Sequence, residues 1–198
     1  MLMSTRVNLD GGNVMSNTLT LRVLAFAWFA ALLSGAAVAQ DDIRYRNNEH
    51  RFAVIFPGQP MQRDITYTTN KGAMVPAKQF YIEQGTDQFI VTVVKVTDGP
   101  TADDALVEHA AERLRQRGEV KFGYKYNYDP GVPALQLNIA ERNGRQLRVS
   151  MYMLDHRLVI AETSATPGNS AALQFEQSIT LLDARGEDLD TGQGNGPG

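Results

Sequence analysis

The chain has 198 residues, a formal net charge of −3 and no cysteine. The lack of cysteine excludes disulfide bonds and the lipid-modified cysteine of a lipoprotein. The mild excess of acidic residues, 22 against 19 lysines and arginines, provides no electrostatic basis for binding nucleic acid or an anionic membrane surface.

An apolar segment near the start of the chain is organised as an export signal. Arg22 precedes an unbroken apolar run over residues 23–33, and Ala37-Val38-Ala39 matches an A-x-A cleavage site. Ser34 interrupts the run before it reaches the length of about 20 apolar residues that a membrane-spanning helix needs. We therefore predict that residues 1–39 are a removable signal peptide and that the protein is periplasmic or secreted.

The rest of the chain is predicted to form one domain with a polar tail. Residues 1–14 carry no export-like feature, so Met15 is the expected start of translation. Residues 40–183 have the size of a single globular domain, and a domain of about this length buries roughly 70% of its unfolded surface without disulfides. Residues 184–198 are polar and rich in glycine, which predicts a disordered tail.

Strand signals dominate the first half of this domain. Short apolar or alternating runs, bounded by turn residues, predict strands at 52–56, 65–69, 77–83 and 89–96. The last of these is apolar on both of its alternating faces, with Phe89 and Val91 on one and Ile90 and Val94 on the other. This pattern is typical of a central strand that is covered on both sides.

A change of period then predicts a helix over residues 101–118. Leu106, Ala110 and Leu114 recur at four-residue spacing and form an amphipathic stripe. Thr101 is the expected N-cap, and Gly118 is the expected C-terminal stop.

Strands resume after this helix, and a second helix ends the domain. Alternating runs predict strands at 120–128, 134–142, 146–154 and 157–166. Asn143-Gly144 and Asp155-His156 are the expected two-residue hairpin links. The final helix is expected to begin at Asn169 or Ser170 and to bury Ala172, Phe175, Ile179 and Leu182. Since the crossovers are too few for a parallel sheet, we predict an α+β fold with a mostly antiparallel β-sheet flanked by α-helices.

Five pieces of the chain carry a resemblance to a known family. They are the entry segment FAVIFPGQP at 52–60, the helix at 101–118, the Gly131-Val132-Pro133 turn, the hairpin at 148–160 and the closing helix with Phe175. Over residues 45–183 the chain resembles the bacterial PsbP/DcrB-like exported domains, whose fold is shared with the PsbP extrinsic subunit of photosystem II. The resemblance implies an α/β/α sandwich and a binding or accessory role, and it implies no reaction.

Sequence motifs for catalysis and metal binding are weak. His109 and Glu112 lie one helical turn apart, but the residue that would complete an H-x-x-E-H zinc motif is Arg113. They are weak metal candidates, and a solvated helix face explains them as well. No serine lies in a G-x-S-x-G elbow, and a site combining Ser150 with His156 would depend on the hairpin between them.

An aromatic stripe is the feature that folding alone explains least. Phe122, Tyr124, Tyr126 and Tyr128 alternate along one predicted strand and so share a face. The stripe either packs beneath the helices or forms an exposed surface that binds a partner, a sugar or an apolar ligand. We take Tyr124, Tyr126 and Tyr128, with the neighbouring Lys125, as candidate binding residues. Burial of all three tyrosines would exclude the binding role.

These observations favour an exported, non-enzymatic binding or accessory protein that uses no cofactor. Its expected partner is a protein or a small ligand, without nucleic acid and without stable membrane insertion once the signal is cleaved. The alternative is a hydrolase or metal-assisted enzyme whose site assembles from distant residues. A concave pocket lined by two or more ionisable groups would favour that alternative. A third hypothesis is an envelope-associated structural factor that an uncleaved leader holds near the membrane.

Overall fold

A computed structural model describes residues 42–97 and 101–189. The predicted signal peptide, the start at Met15 and the last part of the predicted tail lie outside these residues. Within the described ranges, no helix is long and apolar enough to cross a membrane.

Ten strands and two helices make up the described domain. In chain order they are β1 (Ile43–Asn47), β2 (Phe52–Phe56), β3 (Met61–Thr68), β4 (Met74–Gln84), β5 (Asp87–Lys95), α1 (Asp104–Arg115), β6 (Gly118–Asn127), β7 (Pro133–Glu141), β8 (Gln146–Leu154), β9 (Arg157–Ala165), α2 (Ser170–Ser178) and β10 (Thr180–Leu181). A three-stranded sheet has the order β1-β2-β10, and a seven-stranded sheet has the order β3-β4-β5-β9-β8-β7-β6. All named pairs are antiparallel, so the predicted mostly antiparallel α+β class is confirmed.

The large sheet carries an apolar core on each face. One core, here the α2-side core, joins helix α2 and the small sheet to the large sheet through Phe56, Phe89 and Phe175. The other, the α1-side core, contains Leu106 and Val107 of helix α1 together with alternate residues of β7 and β8. Strand β5 lies inside the sheet and contributes Phe89 to the first core and Val94 to the second. The prediction of a central strand covered on both faces is confirmed.

Helix α1 is shorter than predicted and has a different cap. Asp103 is the N-cap, because its carboxylate accepts hydrogen bonds from the backbone N–H groups of Ala105 and Leu106 at 2.9 and 3.2 Å. Thr101 lies outside the helix. Gly118 is the first residue of β6 rather than a helix stop, and a Cβ at this position would lie 2.0 Å from the backbone oxygen of Ala140. The glycine is required by this close approach of two strands.

The hairpin predictions differ in outcome. Asp155 and His156 form a two-residue link, and both adopt the left-handed conformation of a type I′ turn. The Asn143-Gly144 link is longer than predicted, because Glu141 and Arg145 are joined by a backbone hydrogen bond of 2.9 Å and Gly144 alone has positive φ. This is the geometry of a three-residue loop with a glycine in its last position.

The small sheet was not predicted in full. Strand β1 was not predicted because it is short and alternates charged with half-buried residues. Helix α2 ends at Ser178, so Ile179 and Leu182 are buried beside β10 rather than on the helix. Residues 184–189, assigned to the tail by the sequence, lie against this sheet. Asp188 pairs with Arg46 at 2.8 Å and with Arg44 at 3.2 Å. Ion pairs between residues so distant in sequence leave no local pattern.

Candidate binding surface on strand β6

The aromatic stripe lies on a strand at the edge of the large sheet. In the part of the chain that the structure describes, β6 pairs with β7 alone. The register shifts between Val120 and Phe122, so Lys121 lies in a β-bulge. From Phe122 onward the pairing is regular, and strand alternation again determines which side chains share a face.

The rings lie on the face of the α2-side core. Phe122, Tyr124 and Tyr126 pair in register with Asn138, Gln136 and Ala134 of β7, and Ala134 belongs to that core. Helix α2 packs mainly on β2, β8 and β9 of the described elements. The rings of β6 therefore lie beside the strands on which α2 packs, and the small sheet shares the rest of this face with the helix.

Exposure divides the stripe into two halves. Phe122 is 53% exposed and Tyr124 is 57% exposed, whereas Tyr126 and Tyr128 are half-buried against the α2-side core. The Tyr124 and Tyr126 rings stack with centroids 5.5 Å apart and planes inclined by 13°. The Phe122 ring follows, with its centroid 6.5 Å from that of Tyr124. The criterion that would exclude a binding role, burial of all three tyrosines, is not met.

Buried tyrosines anchor the inner half of the stripe. Tyr128 packs edge-on against Tyr152, with centroids 5.1 Å apart, and Tyr152 is 3% exposed. Burial raises the pKa of the Tyr126 phenol. Burial is also the main cause of the raised pKa of Tyr152, and the nearby Tyr126 hydroxyl adds to the rise. Both phenols are therefore neutral at physiological pH, and the anchored end of the stripe presents neutral rings.

Polar side chains surround the exposed rings. Gln136 and Asn138 lie on the same face, directly opposite Tyr124 and Phe122 in register. Arg148 of β8 pairs with Glu176 of helix α2 at 2.9 Å, and burial raises the pKa of Glu176 while Arg148 lowers it. Exposed aromatic rings with amides and a charge pair at their border form an amphipathic surface. Such a surface suits contact with protein or carbohydrate, where apolar area and hydrogen bonds are used together.

Lys125 lies on the opposite face from the tyrosines. It pairs in register with Leu135, a member of the α1-side core, and its ammonium is 3.3 Å from the carboxylate of Asp104 at the start of helix α1. This contact joins β6 to the helix. Of the predicted binding residues, the three tyrosines thus share one face and Lys125 does not.

The weak metal candidates are engaged with other groups of the protein. His109 Nε2 lies 3.2 Å from the backbone oxygen of Thr68, and Glu112 accepts a hydrogen bond of 2.7 Å from Arg115. Arg115 also pairs with Glu108. Among the described residues, no group of three or more potential ligands is placed to hold a metal ion.

The hairpin does not bring Ser150 and His156 together. Ser150 pairs in register with Ala161, four residue pairs away from the Leu154–Arg157 pair that closes the turn. At about 3.3 Å per residue, that separation is about 13 Å along the strand. The hydroxyl of Ser150 is also fully buried.

A cleft beside helix α1 was not predicted. It has a volume of about 300 Å³ and lies between the C-terminal half of α1 and strands β3, β4, β5 and β9. Its polar lining includes Tyr67, Gln79, Arg113, Arg117 and Glu162. No local sequence motif predicts this cleft, because these residues come from five separate elements or loops.

Arg117, which lines this cleft, is shared by two carboxylates, of which Glu162 also lines the cleft. Arg117 donates to Glu141 Oε1 at 2.6 Å and lies 3.6 Å from Glu162. Ser164 donates a further hydrogen bond to Glu141 at 2.5 Å. Burial raises the pKa of Glu162, Arg117 opposes the rise and the charge of Glu141 adds to it. The pKa of Glu162 therefore lies above that of an exposed glutamate.

A second hollow of about 350 Å³ lies between strands β3, β4 and β5 and the turn that holds His50. It is bordered by His50, Asp64, Lys78 and Lys95. His50 lies in the turn between β1 and β2, is 7% exposed and packs on the Phe80 ring. Burial lowers its pKa, so the imidazole is neutral at physiological pH.

Comparison with known proteins finds structural similarity at low sequence identity. No protein-family model matches the chain, and no curated protein matches it. Among solved structures, cyanobacterial PsbP (CyanoP) from Synechocystis sp. PCC 6803, determined in solution, is similar to 75% of this chain and to 96% of its own. The identity is 13% and the TM-score is 0.48. At this identity, no functional residue is carried over from that protein.

Proposed function

We propose that the chain is an exported, non-enzymatic binding or accessory protein that binds its partner through the aromatic surface of β6, defined by Phe122, Tyr124 and Tyr126. The proposal includes a PsbP/DcrB-like α/β/α sandwich and a signal peptide cleaved after Ala39. The observation that carries it is the exposure of Phe122 and Tyr124 on an edge strand. Exposure of large apolar rings to water is unfavourable, so a partner that covers these rings gains binding free energy.

The surrounding structure favours binding over a purely structural role for these rings. A ring that only completes the core would be buried like Tyr152, whereas Tyr124 is more than half exposed and still ordered by stacking on Tyr126. Tyrosine and phenylalanine lose little side-chain entropy on binding and contribute large contact areas. A preformed aromatic surface therefore binds at a low ordering cost.

Affinity capture from the envelope fraction tests this function. The bait is the protein obtained by expressing the full-length gene, and its native N-terminus is determined by mass spectrometry. We expect a mass that begins at Gln40, and a partner that the wild-type bait retains and the Tyr124→Lys bait loses. Met61→Lys, an exposed position on the opposite edge strand β3, is the matched control. A mass that retains residues 1–39 would instead support the envelope-anchored factor.

A hydrolase is the second candidate, and the cleft beside helix α1 is the observation that favours it. Arg113, Arg117 and Glu162 give this cleft the two or more ionisable groups that favour an enzyme. The raised pKa of Glu162 suits a general acid or base. Turnover of ester and glycoside substrates that is lost in Glu162→Gln would establish this function, and stoichiometric metal in the purified protein would make it metal-assisted.

A further inference from the structure

We propose that the occupant of the β6 surface is a second copy of this chain, paired antiparallel along β6 about a two-fold axis at Tyr124. The inference rests on the proposed function, because it names the partner for the same surface. The two seven-stranded sheets would then continue into each other across the dimer.

Strand geometry restricts how two copies of β6 can pair. In an antiparallel pair, residues that lie opposite each other share a face. The two-fold axis between two copies of β6 must therefore lie midway between the two copies of one residue, which face each other across it. The bulge at Lys121 ends the regular part of the strand on one side. Regular pairing with β7 runs from Phe122 to Asn127, and Tyr124 is the most exposed ring within it.

The lysines exclude the two neighbouring registers. An axis at Gly123 would place Lys121 opposite the partner's Lys125, and an axis at Lys125 would place that ammonium opposite its own copy. Like charges directly opposite each other destabilise an antiparallel pair. An axis at Phe122 would pair Tyr124 with the partner's Val120, which lies beyond the bulge and faces the other side of the sheet.

The register centred on Tyr124 is self-complementary. It places Phe122 opposite the partner's Tyr126, Tyr124 opposite its own copy and Tyr126 opposite the partner's Phe122. Cross-strand aromatic pairs of this kind stabilise a sheet. On the other face, each Lys125 lies opposite the partner's Gly123, which has no side chain. Lys125 therefore keeps its contact with Asp104, at 3.3 Å in the single chain.

The opposite edge of the same sheet lacks this complementarity. Strand β3 exposes Arg63 and Asp64, whose charges are used within the chain: the guanidinium of Arg63 lies 4.5 Å from the centre of the Tyr81 ring, and Asp64 pairs with Lys78 at 3.1 Å. Charged residues of this kind protect an edge from pairing, and the lysines of β6 differ from them in position, since Lys121 lies in the bulge and Lys125 pairs with Asp104 of helix α1. Strand β3 is therefore a matched control within the same molecule.

Sedimentation velocity over a range of concentrations tests the dimer. The protein is produced from the full-length gene, so that its leader is processed as in the cell. Because one five-residue strand edge buries a small area, we expect a reversible dimer that dissociates on dilution. Tyr124→Lys should raise the dissociation constant at least about tenfold, since it removes the central ring pair and places two ammonium groups opposite each other. Met61→Lys on β3 should leave the constant unchanged.

A mixed-charge experiment tests the register itself. Tyr124→Lys and Tyr124→Asp should each be monomeric when alone and should form a heterodimer when mixed, because only an axis at this residue places the two side chains opposite each other. The chain has no cysteine, so Tyr124→Cys carries a single thiol. It should form a disulfide-linked dimer at least about tenfold faster than Met61→Cys, because opposite Cβ atoms lie within disulfide range.

Failure of this inference differs from failure of the proposed function. A wild-type protein that sediments as a monomer at all concentrations, or lysine and aspartate variants that do not associate on mixing, would overturn the dimer. If an envelope protein is still captured by the wild type and lost by Tyr124→Lys, the proposed function stands with another occupant. If the surface variants change neither capture nor sedimentation, both are wrong. Far-ultraviolet circular dichroism of each variant confirms that it remains folded.

Discussion

Tyr126 stacks on Tyr124 with ring centroids 5.5 Å apart, and one ring of the pair is anchored in the core while the other faces water. Such a pair contributes about 0.5–1.5 kcal/mol beyond its buried area. The anchored ring also restricts the exposed one, since the stack holds Tyr124 in one orientation. The exposed surface is thereby ordered before any partner arrives.

The first prediction separates the two members of this stack. Tyr126→Ala should lower the free energy of unfolding by about 2–4 kcal/mol, because it removes a half-buried ring next to Tyr152. Tyr124→Ala should lower it by about 1 kcal/mol or less and affect binding instead. Urea unfolding of both variants measures the difference. Equal losses for the two substitutions would contradict the division of the stripe into an anchored and an exposed half.

The second prediction concerns Gly118. Gly118→Ala should destabilise the protein by about 1–3 kcal/mol, because the added Cβ would meet the backbone oxygen of Ala140 and force the strands apart. Gly123→Ala on the same strand is the control, since its nearest neighbour is a Leu137 methyl at 3.4 Å. Thermal unfolding compares the two variants. A larger loss for the control would show that β6 and β7 do not approach each other as described.

The third prediction distinguishes the two caps considered for helix α1. Asp103→Ala removes the carboxylate that accepts two backbone hydrogen bonds, and it should cost about 1 kcal/mol. Thr101→Ala, at the position that the sequence favoured, should change stability by less than half as much. Chemical denaturation of both variants measures the effect, and the reverse order would restore Thr101 as the cap.

The fourth prediction is a pH dependence at Glu162. Its pKa in the folded protein is raised above the ordinary value of 4.5, chiefly by burial. The folded state then binds this proton more tightly than the unfolded state, so the contribution of Glu162 to stability falls as pH rises through the window above 4.5. Glu162→Gln is neutral throughout and lacks this fall. Its stability relative to wild type should therefore increase from about pH 4 to about pH 7.

Unfolding measured at both pH values tests this sign. Glu119→Gln is the control, because its side chain is 71% exposed, and the same substitution there should give a smaller difference between the two pH values. A stability of Glu162→Gln that decreases relative to wild type on raising the pH would mean that Arg117 outweighs burial and stabilises the charged carboxylate.

The sequence by itself determined the elements whose cause is local. The four-residue spacing of Leu106, Ala110 and Leu114 predicts helix α1 because an amphipathic helix buries one stripe. The two-sided apolar pattern of β5 and the two-residue turn at Asp155-His156 are local in the same sense. Hydrophobic period and turn geometry depend on a few consecutive residues, so they can be recognised in the sequence without knowing which strands or helices pack nearby.

Only the tertiary structure decided which strands lie at an edge and which side chains meet. The alternation of Tyr124 and Tyr126 is visible in the sequence, but their different exposure follows from the terminal place of β6 in the strand order. The meeting of Arg117 with Glu162 and the close approach at Gly118 depend on pairings between distant segments. Such contacts form when the whole chain buries its apolar surface, so no sequence pattern within a single segment predicts them.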